Sequence, residues 1–216
     1  MDASIAAILA LDGVTTGAVY ALLAISLVLA FTVTRVIYIP AGEFVAFGAL
    51  TMAALQAGRT PPTAWLTLGL GSAVFCLDLW AAARGTARST LARSLAWNLA
   101  IPVLVCALAR LPAMQQAGQA AQVLLTLAIL VPTGPMLYRL CFAPLLRAPV
   151  LTLPIVAVAL HFALVGTGLV MFGAEGSRTA PFTDLRLSLG LVQITGQSLA
   201  VVLTSCLLYT SDAADE

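Results

Sequence analysis

Polar positions are so sparse along this chain that the uncharged runs between them define its elements. Residues 13–34 contain no charge, and neither does the run 148–174. Further apolar segments occupy 36–58 (interrupted by Glu43), 60–83 (with Asp78 near its end), 94–109, 118–138 and a last one from near Gly190. A membrane-spanning helix needs about 20 mostly apolar residues. The pattern therefore predicts an all-α, polytopic membrane helix bundle of about seven hydrophobic segments. The second is expected to be broken near Pro40–Gly42, where "RVIYIPAGEF" sets a proline, a glycine and an acid together.

Composition supports this reading. Of the 216 residues, 61% are hydrophobic and 9% charged, whereas a soluble domain carries about 25% charged residues. So little charge cannot cover a surface in water, and lipid is the expected solvent. The net charge of +1 offers no basic field for nucleic acid. Lysine is absent, which excludes a Walker A lysine and a lysine Schiff base. Cys76, Cys106, Cys141 and Cys206 are scattered in apolar surroundings, without metal-ligand or disulfide spacing. No HExxH or GxSxG occurs, and His161, the one histidine, cannot build a metal site alone. A membrane protein without catalytic residues, cofactor or metal is expected. The N-terminus lacks the basic region of a cleaved signal peptide.

Arginines in short loops set orientation. With the N-terminus outside, Arg35, Arg84, Arg88, Arg93, Arg139 and Arg147 face the cytoplasm, six against the four at Arg59, Arg110, Arg178 and Arg186. Arg139 and Arg147, in "RLCFAPLLRAP", are expected in a cytoplasmic loop with their side chains reaching the interface.

Three groups of residues invite interpretation. A charge at the bilayer centre costs about 2.5–3.5 kcal/mol, so Glu43 needs a reason to be there. It either lies near the interface, where it can pair with Arg35, or lines a cavity opened where Pro40–Gly42 unwinds the helix. His161, in the middle of 148–174, is either a translocation-path residue or a neutral imidazole bonded to a neighbouring helix. Gly13, Gly17 and Ala21 share one helical face of small residues and are expected to pack against another helix.

The segments "DGVTTGAVYALLAISLVLAF", "RVIYIPAGEFVAFGAL", "YRLCFAPLLRAP" and "MFGAEGSRTAPF" together resemble successive landmarks of bacterial branched-chain amino-acid ABC transporter permeases, over about residues 10–58 and 132–200. The resemblance implies a multi-pass subunit of the bacterial inner membrane, part of an importer for branched-chain amino acids. It implies a second permease subunit, ATPase subunits and a periplasmic substrate-binding protein as partners. Gly42–Glu43 matches the family's Gly–Glu after a polar break, which makes Pro40, Gly42 and Glu43 translocation-path candidates; His161 joins them as an ionisable residue within an apolar run. The chain departs from the family at "YIPA", at His161, and over 60–116, which is expected to be a two-span insertion within a permease domain of 1–204. A permease for urea or short amides, a secondary transporter and a non-transporting membrane subunit are the alternatives. The ending "CLLYTSDAADE" resembles adapter read-through, so 205–216 is expected to be a non-native tail on a truncated fragment.

Overall fold

The computed structural model describes residues 3–34, 37–84, 94–146, 148, 149, 151–181, 183, 185–189 and 192–214. Each expected hydrophobic segment contains a helix: α1 (Ala3–Thr34), α2 (Ala41–Gln56), α3 (Pro62–Ala83), α4 (Ile101–Arg110), α5 (Gln119–Leu130), α6 (Thr152–Phe172) and α7 (Gly196–Ala214). The fold is an all-α helical bundle, with one antiparallel hairpin of β1 (Arg186–Leu189) and β2 (Val192–Thr195) added. Its register pairs Arg186 with Thr195 and Leu189 with Val192. Among the described residues, four helical stretches are long and apolar enough to cross a membrane: Ile5–Thr32, Pro62–Ala83, Gln119–Leu145 and Thr152–Phe172. At 1.5 Å per residue, the 21 residues of α6 reach about 32 Å, the thickness of a hydrocarbon core. Large apolar side chains such as Val170 and Leu151 stand almost fully exposed on it and beside it, as suits a lipid-facing surface.

The chain divides into two compact units, Met1–Ala41 with Pro181–Glu216, and Gly42–Ala180. In the first, α7 packs along α1, and Ser205 Oγ donates to the Ala18 carbonyl at 3.3 Å. The partly covered face of α1 runs through Leu11, Thr15, Ala18 and Leu22. Gly13, Gly17 and Ala21 lie on an exposed face, and a Cβ at either glycine would meet nothing within 4 Å. Within this unit, therefore, the face of α1 that meets α7 is not the Gly13–Gly17–Ala21 face. Helix α7 continues through 205–214 without a break at Thr204.

In the second unit, Leu55 of α2, Ala64 of α3, Val105, Cys106 and Ala109 of α4, and Leu125 and Ile129 of α5 form one buried cluster. The stretch 60–116, expected as an insertion, thus supplies much of this core. Between helices in lipid the hydrophobic effect offers no drive, so close packing and polar bonds must hold them. Three fully buried threonines supply such bonds. Thr51 and Thr63 join hydroxyls at 2.7 Å across α2 and α3, and Thr67 Oγ1 lies 3.1 Å from the Ile129 carbonyl.

Prolines shape the connections. Pro102 has no N–H to offer the Asn98 carbonyl, four residues back. The chain answers with a π-helical turn at Ala96–Ala100, in which Ile101 N–H reaches back five residues to Ala96. The same device precedes Pro144, at Tyr138–Phe142. The Asn98 carbonyl, released from its helix, meets α3 at Gly71, where a Cβ would collide with it. Glycine here admits a neighbouring backbone.

The arginines sort to the two ends of α3. Near its start, Arg110 lies over the Trp65 ring at 4.5 Å. Near its end, Arg84 lies over Trp80 at 3.6 Å, and Arg139 Nη2 is 2.5 Å from Asp78 Oδ1. Trp65 and Trp80 are both half exposed, and 15 residues of helix separate them by about 22 Å. Exposed tryptophans at two levels mark membrane interfaces. Arg139 therefore sits within a helical turn and pairs with Asp78, rather than in an open loop; Arg147 lies outside the described residues. Ser94 Oγ donates to Asp78 Oδ2, and Asn98 Nδ2 donates to Ser94 Oγ at 3.1 Å, which completes the acid's surroundings.

Candidate functional site

The chain turns at Ile39–Pro40, with Ala41 N–H bonded to the Tyr38 carbonyl at 3.4 Å, and α2 begins at Ala41. The break expected at Pro40–Gly42 is thus a helix start, not an unwound turn inside a span. Pro40 is fully buried and its ring suits the residue before a first helical turn. Gly42 has open space where a side chain would stand. Its role is not to admit a neighbour. Glu43 falls in the first turn of α2, where free N–H groups and the helix dipole favour a carboxylate. Arg35, the partner considered for it, lies outside the described residues.

Its partner comes instead from α6. His161 Nδ1 lies 2.7 Å from Glu43 Oε1, with side-chain exposures of 33% and 14%. The two atoms touch but are not aligned as a hydrogen bond, and the other carboxylate oxygen, Oε2, is buried without a hydrogen-bond partner. A buried, unmatched acceptor costs about 1–3 kcal/mol. The His161 ring meets Phe162 edge-on at 5.1 Å. These two candidates, far apart in the chain, form one pair. Tertiary packing creates this proximity, and no local period could have announced it.

A groove runs from this pair between α2 and α6. Its apolar part, about 210 Å³, is lined by Glu43, Ala46, Phe47 and Leu50 on one side and by Leu164 and Gly168 on the other. Phe47 rests on Gly168, whose absent Cβ would lie 3.5 Å from the ring, and faces Phe172 at 6.5 Å between centroids. The lining positions on α2 recur at three- and four-residue steps, which is one helical face. Chemically, the arrangement offers one carboxylate oxygen able to accept a donor, an imidazole beside it, and an apolar wall. Among the described residues no group of three or more His, Cys, Asp or Glu could hold a metal ion.

Sequence reading singled out each member of the Glu43–His161 pair but missed two features. One is the Asp78–Arg139–Ser94 cluster, whose signal was an acid near a span end. The other is a polar cleft at the far end of the groove, about 290 Å³, lined by Arg59, Thr60, Ser177 and Arg178 above Leu50 and Ala54. No protein-family model, curated protein or solved structure matches the chain.

Proposed function

We propose that this chain is a permease subunit of an ATP-binding-cassette importer for branched-chain amino acids, contributing part of the translocation path. The observation that carries the reading is the Glu43–His161 pair, set in apolar helices with Glu43 Oε2 buried and unmatched. Intramembrane ionisable residues are costly, and sites that move solutes are where that cost is repaid. Opening of the Glu43–His161 contact would present the carboxylate to an ammonium or amide N–H from a solute, and the apolar groove beside it suits an aliphatic side chain. An amino acid and a short amide both offer such a donor. The sequence resemblance favours the amino acid.

In this reading the chain lies in a bacterial inner membrane with its N-terminus outside and the Asp78–Arg84–Arg139 end at the cytoplasm. A second permease subunit, ATPase subunits and a periplasmic binding protein complete the importer. The test is uptake of labelled leucine in cells expressing the chain with the transporter genes encoded beside it. Glu43→Gln and His161→Gln should each lower uptake at least tenfold while membrane insertion is unchanged; unaltered uptake in both would reject the reading.

A proton-coupled secondary transporter is a second reading, favoured by the same carboxylate–imidazole contact within apolar helices. Uptake that collapses with the proton gradient but persists without an ATPase would select it.

A further inference from the structure

The polar cleft at the far end of the α2–α6 groove carries two cations that the translocation reading does not use. Arg59 and Arg178 both line it, together with the hydroxyl-bearing Thr60 and Ser177. Neither arginine has an ion-pair partner among the described residues.

The cleft is built by specific bonds. Helix α2 ends in a Schellman motif: Gly58 takes φ 67°, its N–H reaches the Leu55 carbonyl at 3.0 Å, and Arg59 N–H reaches Ala54 at 2.9 Å. Arg59 is therefore held at a fixed place over the helix end. Opposite it, the chain leaves α6 through Gly173, at φ 79°. Two side chains then pin the segment that bears Arg178. Ala180 N–H donates to Gln56 Oε1 at 2.8 Å, and Gln119 Nε2 donates to the Ala180 carbonyl at 3.2 Å.

Below the cations the walls turn apolar. Leu50 lines both the cleft and the apolar groove, so the two are continuous along α2. The groove opens beside Leu169 of α6, which lines it and is 55% exposed, a surface suited to hydrocarbon. Trp65, one turn into α3, marks the interface at the same end. A polar head at interface level joined to an apolar slot reaching into the hydrocarbon is the outline of an amphiphile. The apolar slot of about 210 Å³ is half the roughly 420 Å³ of one helical turn about 10 Å across and 5.4 Å high, so part of a slender acyl chain can lie in it where a helix cannot.

We propose that Arg59 and Arg178 bind the phosphate of an anionic phospholipid, with one acyl chain lying in the groove between α2 and α6. Guanidinium groups recognise phosphate oxygens through paired N–H bonds, and the threonine and serine hydroxyls can complete the set. The site stands whether or not the chain transports amino acids.

The test uses the purified chain in phosphatidylcholine nanodiscs with and without phosphatidylglycerol, read by native mass spectrometry. One phosphatidylglycerol should remain bound per chain through exchange into detergent. Each basic residue at an anionic membrane surface contributes about a fivefold factor, so R59Q/R178Q should weaken that lipid roughly thirtyfold. Arg84→Gln, at the other end of α3, should leave the retained lipid unchanged. R59K/R178K keeps the charge but loses the paired N–H geometry, so it should weaken the lipid less than R59Q/R178Q does, which separates loss of charge from loss of fold. Gly168→Leu fills the slot and should expel the lipid with both arginines intact. Equal retention by R59Q/R178Q and the parent would overturn the proposal. So would full displacement by inorganic phosphate at matched concentration, which would mark a free-anion site, or a concentration-dependent dimer replacing the lipid.

Discussion

Removing Glu43 and His161 singly and together measures whether their contact is an interaction or an accident of packing. At 2.7 Å, opposite unit charges would attract by about 6 kcal/mol at an effective dielectric of 20. Desolvation takes back most of that for partly buried pairs. The contact is also not aligned as a hydrogen bond, and polar pairs inside membrane proteins have coupling energies averaging about 0.6 and reaching about 1.7 kcal/mol. A coupling of about 1 kcal/mol is therefore expected for Glu43→Ala against His161→Ala, or a factor of about five in the unfolding equilibrium. The assay is reversible unfolding in mixed micelles for the parent, both single variants and the double variant. Additive effects, with coupling under about 0.3 kcal/mol, would show the two side chains to be independent. The site built on them would then fail.

Three further outcomes follow from single residues. Gly71→Ala should lower stability by about 1–2 kcal/mol, because the collision with the Asn98 backbone outweighs the helix propensity that alanine gains; thermal unfolding in detergent checks it. Gly58→Ala should cost about 1–2 kcal/mol, since its φ of 67° is left-handed, and should loosen Arg59, seen as faster amide exchange at residues 57–59. Single cysteines at Arg84 and Ser177 should react with a membrane-impermeant reagent from opposite faces of the membrane; labelling of both from one face would contradict the sorting of arginines along α3.

The seven helical segments were legible because uncharged runs of that length have one stable solution in lipid, a chain whose backbone bonds are satisfied internally. Their edges were legible where a proline or charge stood, as at Pro40 and Pro62. The short hairpin was written in the alternation of "RLSL" and "VQIT", but the high apolar level of the surrounding chain masked a period of two. Small residues are so common in this chain that the spacing of Gly13, Gly17 and Ala21 carries little, and within the first unit α7 lies against the Leu11, Thr15 and Ala18 face instead. The π-helical turns at Ala96–Ala100 and Tyr138–Phe142 were implied by Pro102 and Pro144, though a proline alone does not say whether a helix breaks or widens.

The pairing of charges is the part that sequence reading came nearest to and still missed. The helices α2 to α6 hold two acids, Glu43 and Asp78. Each is costly enough in lipid, at about 2.5–3.5 kcal/mol, that a partner is required. The bases in or beside the same helices include Arg59, Arg84, Arg110, Arg139 and His161; Arg84 lies over the Trp80 ring, and Arg59 stands past the end of α2 far from Glu43. Depth then decides among them. Asp78 lies near the end of α3, where Arg139 arrives just past α5, and Arg110 is drawn to the opposite end by Trp65. His161, halfway along α6, remains for Glu43. In a soluble protein such an inventory decides nothing, because water can stand in for any partner. Where charges are few and lipid surrounds them, the requirement that each be matched acts as a long-range constraint on the fold. It brings positions 43 and 161 together across 118 residues of chain, a proximity that no local pattern could specify.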